Sequence, residues 1–272
     1  MFDYHVHTTF SVDCNTPIEA SCQSAIDHGV TEIAFTDHVD YQPADPGFGF
    51  YRPGEYLGEI ERMRSQFGDR LTILAGAEVD YHDDTRDVVE RFIAEWGGKY
   101  DFVIGSVHYG HAGEIIFPEY FDGKTLDDVF DPYFSQIERA IQSGWFDTIG
   151  HLDIPKRYMP GTHRIYDPTS YRERLTALFE QFIQNDMAFE INTSGIRQRP
   201  KTSMPGPAIV RWYMEAGGKR ITTGTDSHAA QTVGSGIPRT LEMLQICGIE
   251  SVLSFRKRDS RFVPIQSLQR TA

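Results

Sequence analysis

The chain has 272 residues, 40% apolar and 24% charged, an ordinary globular balance with length enough to bury a large core. Its 39 acidic residues outnumber 26 basic ones, giving a formal net charge of -13. That field repels nucleic-acid backbones and anionic membranes, so no nucleic-acid or membrane partner is expected. An anionic small substrate would need local cations.

The opening Met1-Phe2-Asp3-Tyr4-His5 has no basic region or apolar run, so no secretory signal is expected. No window approaches the roughly 18 uninterrupted apolar residues of a membrane span, and a cytoplasmic location is expected. Cys14, Cys22 and Cys247 have neither zinc-knuckle nor redox spacing and read as packing residues.

Apolar runs predict strands at 2–7, 32–36, 71–78, 101–107, 148–151, 188–192 and 220–225, with amphipathic stretches between them. After the first strand, Thr16-Pro17-Ile18-Glu19 reads as an N-cap, a proline at the first helical position and a capping-box glutamate, with Gly29 as the stop. Leu126, Val129, Phe130, Tyr133, Phe134, Ile137 and Ile141 mark one buried helical face. Pro132 is expected to kink or restart that helix, because it lacks the ladder N–H. Leu175, Leu178, Phe179, Phe182 and Ile183 mark another face, capped by Asp167-Pro168. Arg256-Lys257-Arg258 reads as a short, solvated charge cluster. Roughly seven strand–helix alternations without a linker predict a parallel α/β barrel, a single domain over residues 1–272.

Barrel enzymes carry their chemistry at the C-terminal strand ends. Here those ends read His5-Val6-His7 with Asp13 in the loop, Asp37-His38, Gly76-Ala77-Glu78, Ser106-Val107-His108, Gly150-His151 with Asp153 close behind, and Thr225-Asp226-Ser227-His228. Residues two apart on a strand share a face, so His5 and His7 can grip one ion. A lone His-x-His is usually incidental. A buried ring of imidazoles and carboxylates is costly unless paired or metal-bound, so the whole set predicts a metal centre. His28 reads as a helix-end residue and His163 as a loop residue, while His82 and His111 lie near enough to the site motifs to support it or face substrate.

In this order over nearly the whole chain, these motifs resemble those of the polymerase and histidinol phosphatase (PHP) superfamily. The stretch His5-Val6-His7-Thr8-Thr9-Phe10-Ser11-Val12-Asp13 is similar to its histidinol-phosphatase branch. The resemblance implies a distorted (β/α)7 TIM-like barrel holding two to three divalent ions of zinc, manganese or iron. It places His5, His7, Glu78 and Asp226 on the first ion. Glu78 bridges to a second ion with His108 and His151, and Asp13, His38 and His228 hold a third. Some members carry His where this chain has Asp13, whose harder carboxylate shifts preference from zinc toward manganese or iron.

The implied activity is hydrolysis of L-histidinol phosphate by a metal-activated hydroxide, a step of histidine biosynthesis. Glu78, Asp226 and His228 would be the catalytic residues. Arg157 and Arg197 are candidates to grip the phosphate, with Lys156 and Arg199 beside them. Tyr41, Phe48, Phe50, Tyr51, Tyr109, Phe117, Tyr120 and Phe121 either stack an imidazole or pack their loops, and Asp40, Asp80 and Asp153 are candidates for an amine. Two alternatives are another small phosphoester or nucleotide as substrate, and a non-catalytic metal-stabilised module.

Overall fold

In this computed structural model, which describes residues 1–161 and 166–269, the predicted strands line up side by side. They are β1 (Phe2–Val6), β2 (Glu32–Phe35), a short β3 (His38–Val39), β4 (Thr72–Asp80), β5 (Phe102–Ser106), β6 (Thr148–Ile149), β7 (Ala188–Asn192) and β8 (Ile221–Gly224). All pairings are parallel, in the order β1-β2-β4-β5-β6-β7-β8. The ring closes where Val6 bridges Ser227 in parallel and the His7 N–H donates to the Ser227 carbonyl at 2.9 Å. The fold is the expected (β/α)7 TIM-like barrel. Its distortion is visible at two places. β6 is only two residues long, and one strand line breaks at Thr36-Asp37, so that β4 pairs first with β2 and then with β3.

Helices cover the outside. They are α1 (Ile18–Asp27), α2 (Pro53–Phe67), α3 (Arg86–Trp96), α4 (Leu126–Ser143), α5 (Pro155–Tyr158), α6 (Arg172–Gln184), α7 (Ser194–Arg197), α8 (Pro207–Glu215) and α9 (Ile237–Ile246). With helices outside and side chains filling the middle, the strands are buried on both faces, as parallel strands are. Every residue of β1, β2, β5, β7 and β8 is buried. Among the described residues, no helix is long and apolar enough to cross a membrane. The three cysteines are unpaired, and Cys14 and Cys22 are buried.

Three local expectations need correction. Thr16 does not cap α1; its hydroxyl donates to the His228 carbonyl at 3.0 Å, so a long-range bond displaces the local cap. Pro132 does not restart a helix, because α4 runs unbroken through it and starts from a Thr125–Asp128 capping box. The third concerns the C-terminal basic cluster. β9 (Ser251–Arg256) and β10 (Asp259–Pro264) form an antiparallel hairpin, and Lys257-Arg258 is its two-residue turn. Phe255 packs 4.8 Å from Phe102, and its N–H donates to Tyr4 Oη at 2.7 Å. Arg256 and Lys257 are exposed, as expected, but Arg258 is partly buried and reaches Asp147 at 3.0 Å. The hairpin thus plugs the N-terminal end of the barrel and leaves the opposite end for the site.

Candidate metal centre

Successive strand ends deliver their polar residues to one point. His5 lies within β1 and His7 just beyond it; Asp13 comes from the following loop. His38 opens β3, Glu78 lies in β4, and His108 and His151 follow β5 and β6. Asp226 and His228 follow β8. His151 and Asp226 have φ of +26° and +49°, a disfavoured backbone that turns both side chains inward and must be held by its surroundings.

Glu78 is the hub. Its Oε2 lies 3.3 Å from His5 Nε2, 3.4 Å from His7 Nε2 and 2.9 Å from His38 Nδ1. Its Oε1 lies 3.0 Å from His151 Nε2 and 3.7 Å from His108 Nε2. The last two nitrogens stand 3.2 Å apart. Asp226 Oδ1 is 3.5 Å from His7 Nε2, and Asp13 Oδ2 is 3.2 Å from His228 Nε2 and 3.8 Å from His38 Nε2.

Two ligands on one ion, at bond lengths of about 2.0–2.2 Å and ordinary angles, stand about 2.9–3.5 Å apart. Most of these separations fall there. His5 Nε2, His7 Nε2, His38 Nδ1 and Glu78 Oε2 are moreover buried without a hydrogen-bond partner. Four orphaned polar atoms aimed at one another are costly unless something binds between them. Donor sets close enough to share an ion include His5/His7/Asp226, His5/Glu78/His151, His38/Glu78/His108 and His7/His38/His228. The residues fit divalent metal.

Other side chains orient these donors. Asp80 lies 2.9 Å from His108 Nδ1. Ser11 Oγ lies 3.0 Å from His7 Nδ1, accepts the His38 N–H at 3.0 Å and donates to Asp37 at 2.8 Å. Such partners fix the ring and leave the other nitrogen for the ion. Sequence reading overlooked Asp37 and Ser11 in this role and treated Asp80 only as an amine contact.

Burial works against ionised Glu78 and Asp226. The imidazoles of His5 and His38 around Glu78, and Arg157 with His5 around Asp226, nonetheless hold both carboxyls well below the carboxylate range. Against the same burial, Glu78 holds His5 and His38 well above the ordinary imidazole value. Burial and the neighbouring His228 and His38 push His7 well down. Glu78 thus favours the protonated form of His5 and His38, and a proton competes with an ion for the same nitrogens. Metal uptake at pH 7 is expected to release protons, and apparent affinity to weaken by about tenfold or more on going from pH 7 to 6. Competition with a chelator at the two pH values checks this; equal affinities would contradict it.

The centre opens into a cavity of about 300 Å³. Arg157 lines it, bonding Asp226 Oδ2 at 2.6 Å while its buried Nε–H lacks a partner. Asp40, Asp45 and Asp80 line it too, with Ile115, Ile116, Phe117 and Tyr158. Burial pushes the Asp40 and Asp80 carboxyls up, and the negative charge of neighbouring acids adds to the effect. Arg197 is not among the lining residues; its Nη2 donates to the Thr225 carbonyl at 2.7 Å, next to Asp226. Lys156 is tied to Asp153 at 2.7 Å beside a separate cavity, and Arg199 donates to the Met159 carbonyl. Of the loop aromatics only Phe117 lines the cavity; Tyr109 sits behind it on Asp45, and Tyr120 and Phe121 are buried. His82 ties down the loop after β5 through the Gly110 carbonyl, and His111 is exposed. His28 ends α1, as expected, and His163 lies outside the described residues.

A PHP domain family model matches residues 3–194, more than half of the chain. The chain belongs to the PHP family. A probable histidinol-phosphatase from Deinococcus radiodurans is 30% identical to this PHP chain over 262 residues, covering 94% of the chain and 96% of the relative. The histidinol-phosphatase of Lactococcus lactis is 30% identical over 260 residues, 93% of each. The structure of histidinol phosphate phosphatase from Lactococcus lactis, solved with zinc, L-histidinol and phosphate, matches the PHP chain with a TM-score of 0.86. That match has 28% identity and covers 96% of this chain and 98% of the other.

Proposed function

We propose that this chain is a metal-dependent phosphatase hydrolysing L-histidinol phosphate to L-histidinol and phosphate, working as one barrel domain over residues 1–272. The observation that carries this reading is a cavity whose lining combines metal donors, an arginine, carboxyls and apolar side chains. Metal donors and Arg157 line it together with the carboxyls of Asp40, Asp45 and Asp80 and the apolar side chains of Ile115, Ile116 and Phe117. A phosphate dianion needs the metal donors and the arginine, an ammonium and an imidazole suit the carboxyls and apolar side chains, and L-histidinol phosphate carries all three groups. Likeness to the two histidinol-phosphatases over nearly the full length supports the same substrate.

Two to three ions of zinc, manganese or iron suit the mixed imidazole and carboxylate donors. His5, His7, Glu78 and Asp226 would hold the first, Glu78, His108 and His151 the second, and Asp13, His38 and His228 the third. When bound, such ions acidify a water and neutralise the phosphoryl oxygens. Arg157 adds directed N–H donors to the phosphate, matching its oxygens as a guanidinium fork does. Arg197 braces the Thr225-Asp226 turn and supports phosphate binding from behind. Asp226 and His228 orient the attacking water, Asp226 with Oδ2 fixed by Arg157 and Oδ1 turned to the histidines.

The test is substrate preference. The metal-loaded protein is expected to favour L-histidinol phosphate over glycerol phosphate and a nucleoside monophosphate by at least about 100-fold in kcat/KM, because both rivals leave the buried acids without their cation. Equal rates on all three would move the function to another phosphoester.

A further inference from the structure

β7 contributes no metal donor in the assignment above, yet it carries a buried carboxylate. Glu190 sits mid-strand between Phe189 and Ile191, 2% exposed, and points into the barrel. Its Oε1 lies 2.6 Å from His5 Nδ1. Its Oε2 accepts the main-chain N–H of His151 at 2.5 Å. One carboxylate thus holds a ring belonging to the first ion and the backbone that carries a ligand of the second.

Both contacts have chemical content. With Nδ1–H donated to Glu190, the proton of neutral His5 is fixed on Nδ1 and the lone pair on Nε2, the buried atom that faces Glu78 and has no hydrogen-bond partner. The carboxylate also makes the ring a stronger donor. His151 stands at φ +26°, and the bond from its N–H to Glu190 holds that strained turn in place. Among the described residues no lysine or arginine pairs with Glu190; its ion-pair partner is His5.

A second observation comes from the neighbouring strand. Gly224 on β8 faces the pair, and a Cβ there would meet His5 Cβ at 2.4 Å and Glu190 Oε1 at 2.8 Å. The glycine leaves room for the His5–Glu190 contact.

We propose that Glu190 is a positioning residue for metal capture, setting the His5 tautomer and the His151 turn so that two adjacent ion sites form together. The proposal rests on the metal-centre reading above. Glutamine is the sharpest probe, because it has one acceptor where two donors need two. In either amide orientation an N–H meets the His5 Nδ1–H or the His151 N–H, and one contact is lost.

The experiment is a cobalt(II) titration of wild type and Glu190→Gln against a competing chelator. Visible absorption reports the ligand field, and the melting temperature of the metal-free proteins is measured alongside. The variant is expected to bind its tightest cobalt about 10–100-fold more weakly, with a changed absorption band. Unchanged affinity and spectrum would overturn the role, as would a lower melting temperature alone. If wild type binds no cobalt, the metal-centre reading itself fails, which is a different result. Should Glu190→Gln not fold, Glu190→Asp takes its place, since the shortened carboxylate cannot span both donors. Weakening of at least about tenfold supports the role and unchanged binding overturns it.

Discussion

Glu78→Gln is expected to lower kcat on L-histidinol phosphate by about 1000-fold or more and to reduce bound metal by at least one ion per chain. The reason is that Glu78 faces both halves of the centre, with Oε2 near His5, His7 and His38 and Oε1 near His151 and His108. An amide presents one oxygen where two are used and removes the negative charge that offsets neighbouring cations. Breaking one member of such a buried set costs several kcal/mol locally, and losing a catalytic ion removes both charge stabilisation and water activation. Steady-state kinetics and elemental analysis of the same preparation check the two parts together. A folded variant with wild-type turnover would sink the bridging assignment.

The second large effect is expected at Arg157. Arg157→Ala should lower kcat/KM by about 100-fold, much of it as a raised KM, while metal content stays within one ion of wild type. Truncating one member of a buried charge pair typically costs 2–5 kcal/mol, and Arg157 both holds Asp226 at 2.6 Å and lines the cavity. A weaker grip on free phosphate as a competitive inhibitor should accompany it. If KM and phosphate inhibition are unchanged, Arg157 does not touch the phosphate.

Much of the barrel was legible because its parallel strands are short apolar runs and the residues at their ends break the pattern. His5 and His7 two apart, or Asp226 and His228 after an apolar run, stand out wherever water is excluded. The C-terminal hairpin was not legible. Its turn is Lys257-Arg258 at φ +49° and +67°, a conformation usually announced by Asn-Gly or Asp-Gly, so two basic residues read as surface charge. Thr16 misled for a different reason: a good local cap was outbid by the His228 carbonyl, and no spacing rule reports that contact.

Residues that support the metal donors divide in the same way. Glu190 had a signal, an acid in the middle of Phe189-Glu190-Ile191, which is expensive to bury without a partner. Ser11 and Asp37 had only their closeness to His7 and His38 in the chain, and the bond between them appears once β1 and β2 lie side by side. Arg157 and Arg197 looked alike as arginines on adjacent loops. Folding separates them, sending one into the cavity and the other onto the Thr225 carbonyl.

The most direct measurement is phosphate release from L-histidinol phosphate by the metal-loaded chain, repeated after chelation and again after metal is returned. Rapid release that chelation abolishes and zinc, manganese or iron restores is the predicted result. Release that survives complete metal removal, or a fully metal-loaded protein that leaves the substrate intact, would contradict it.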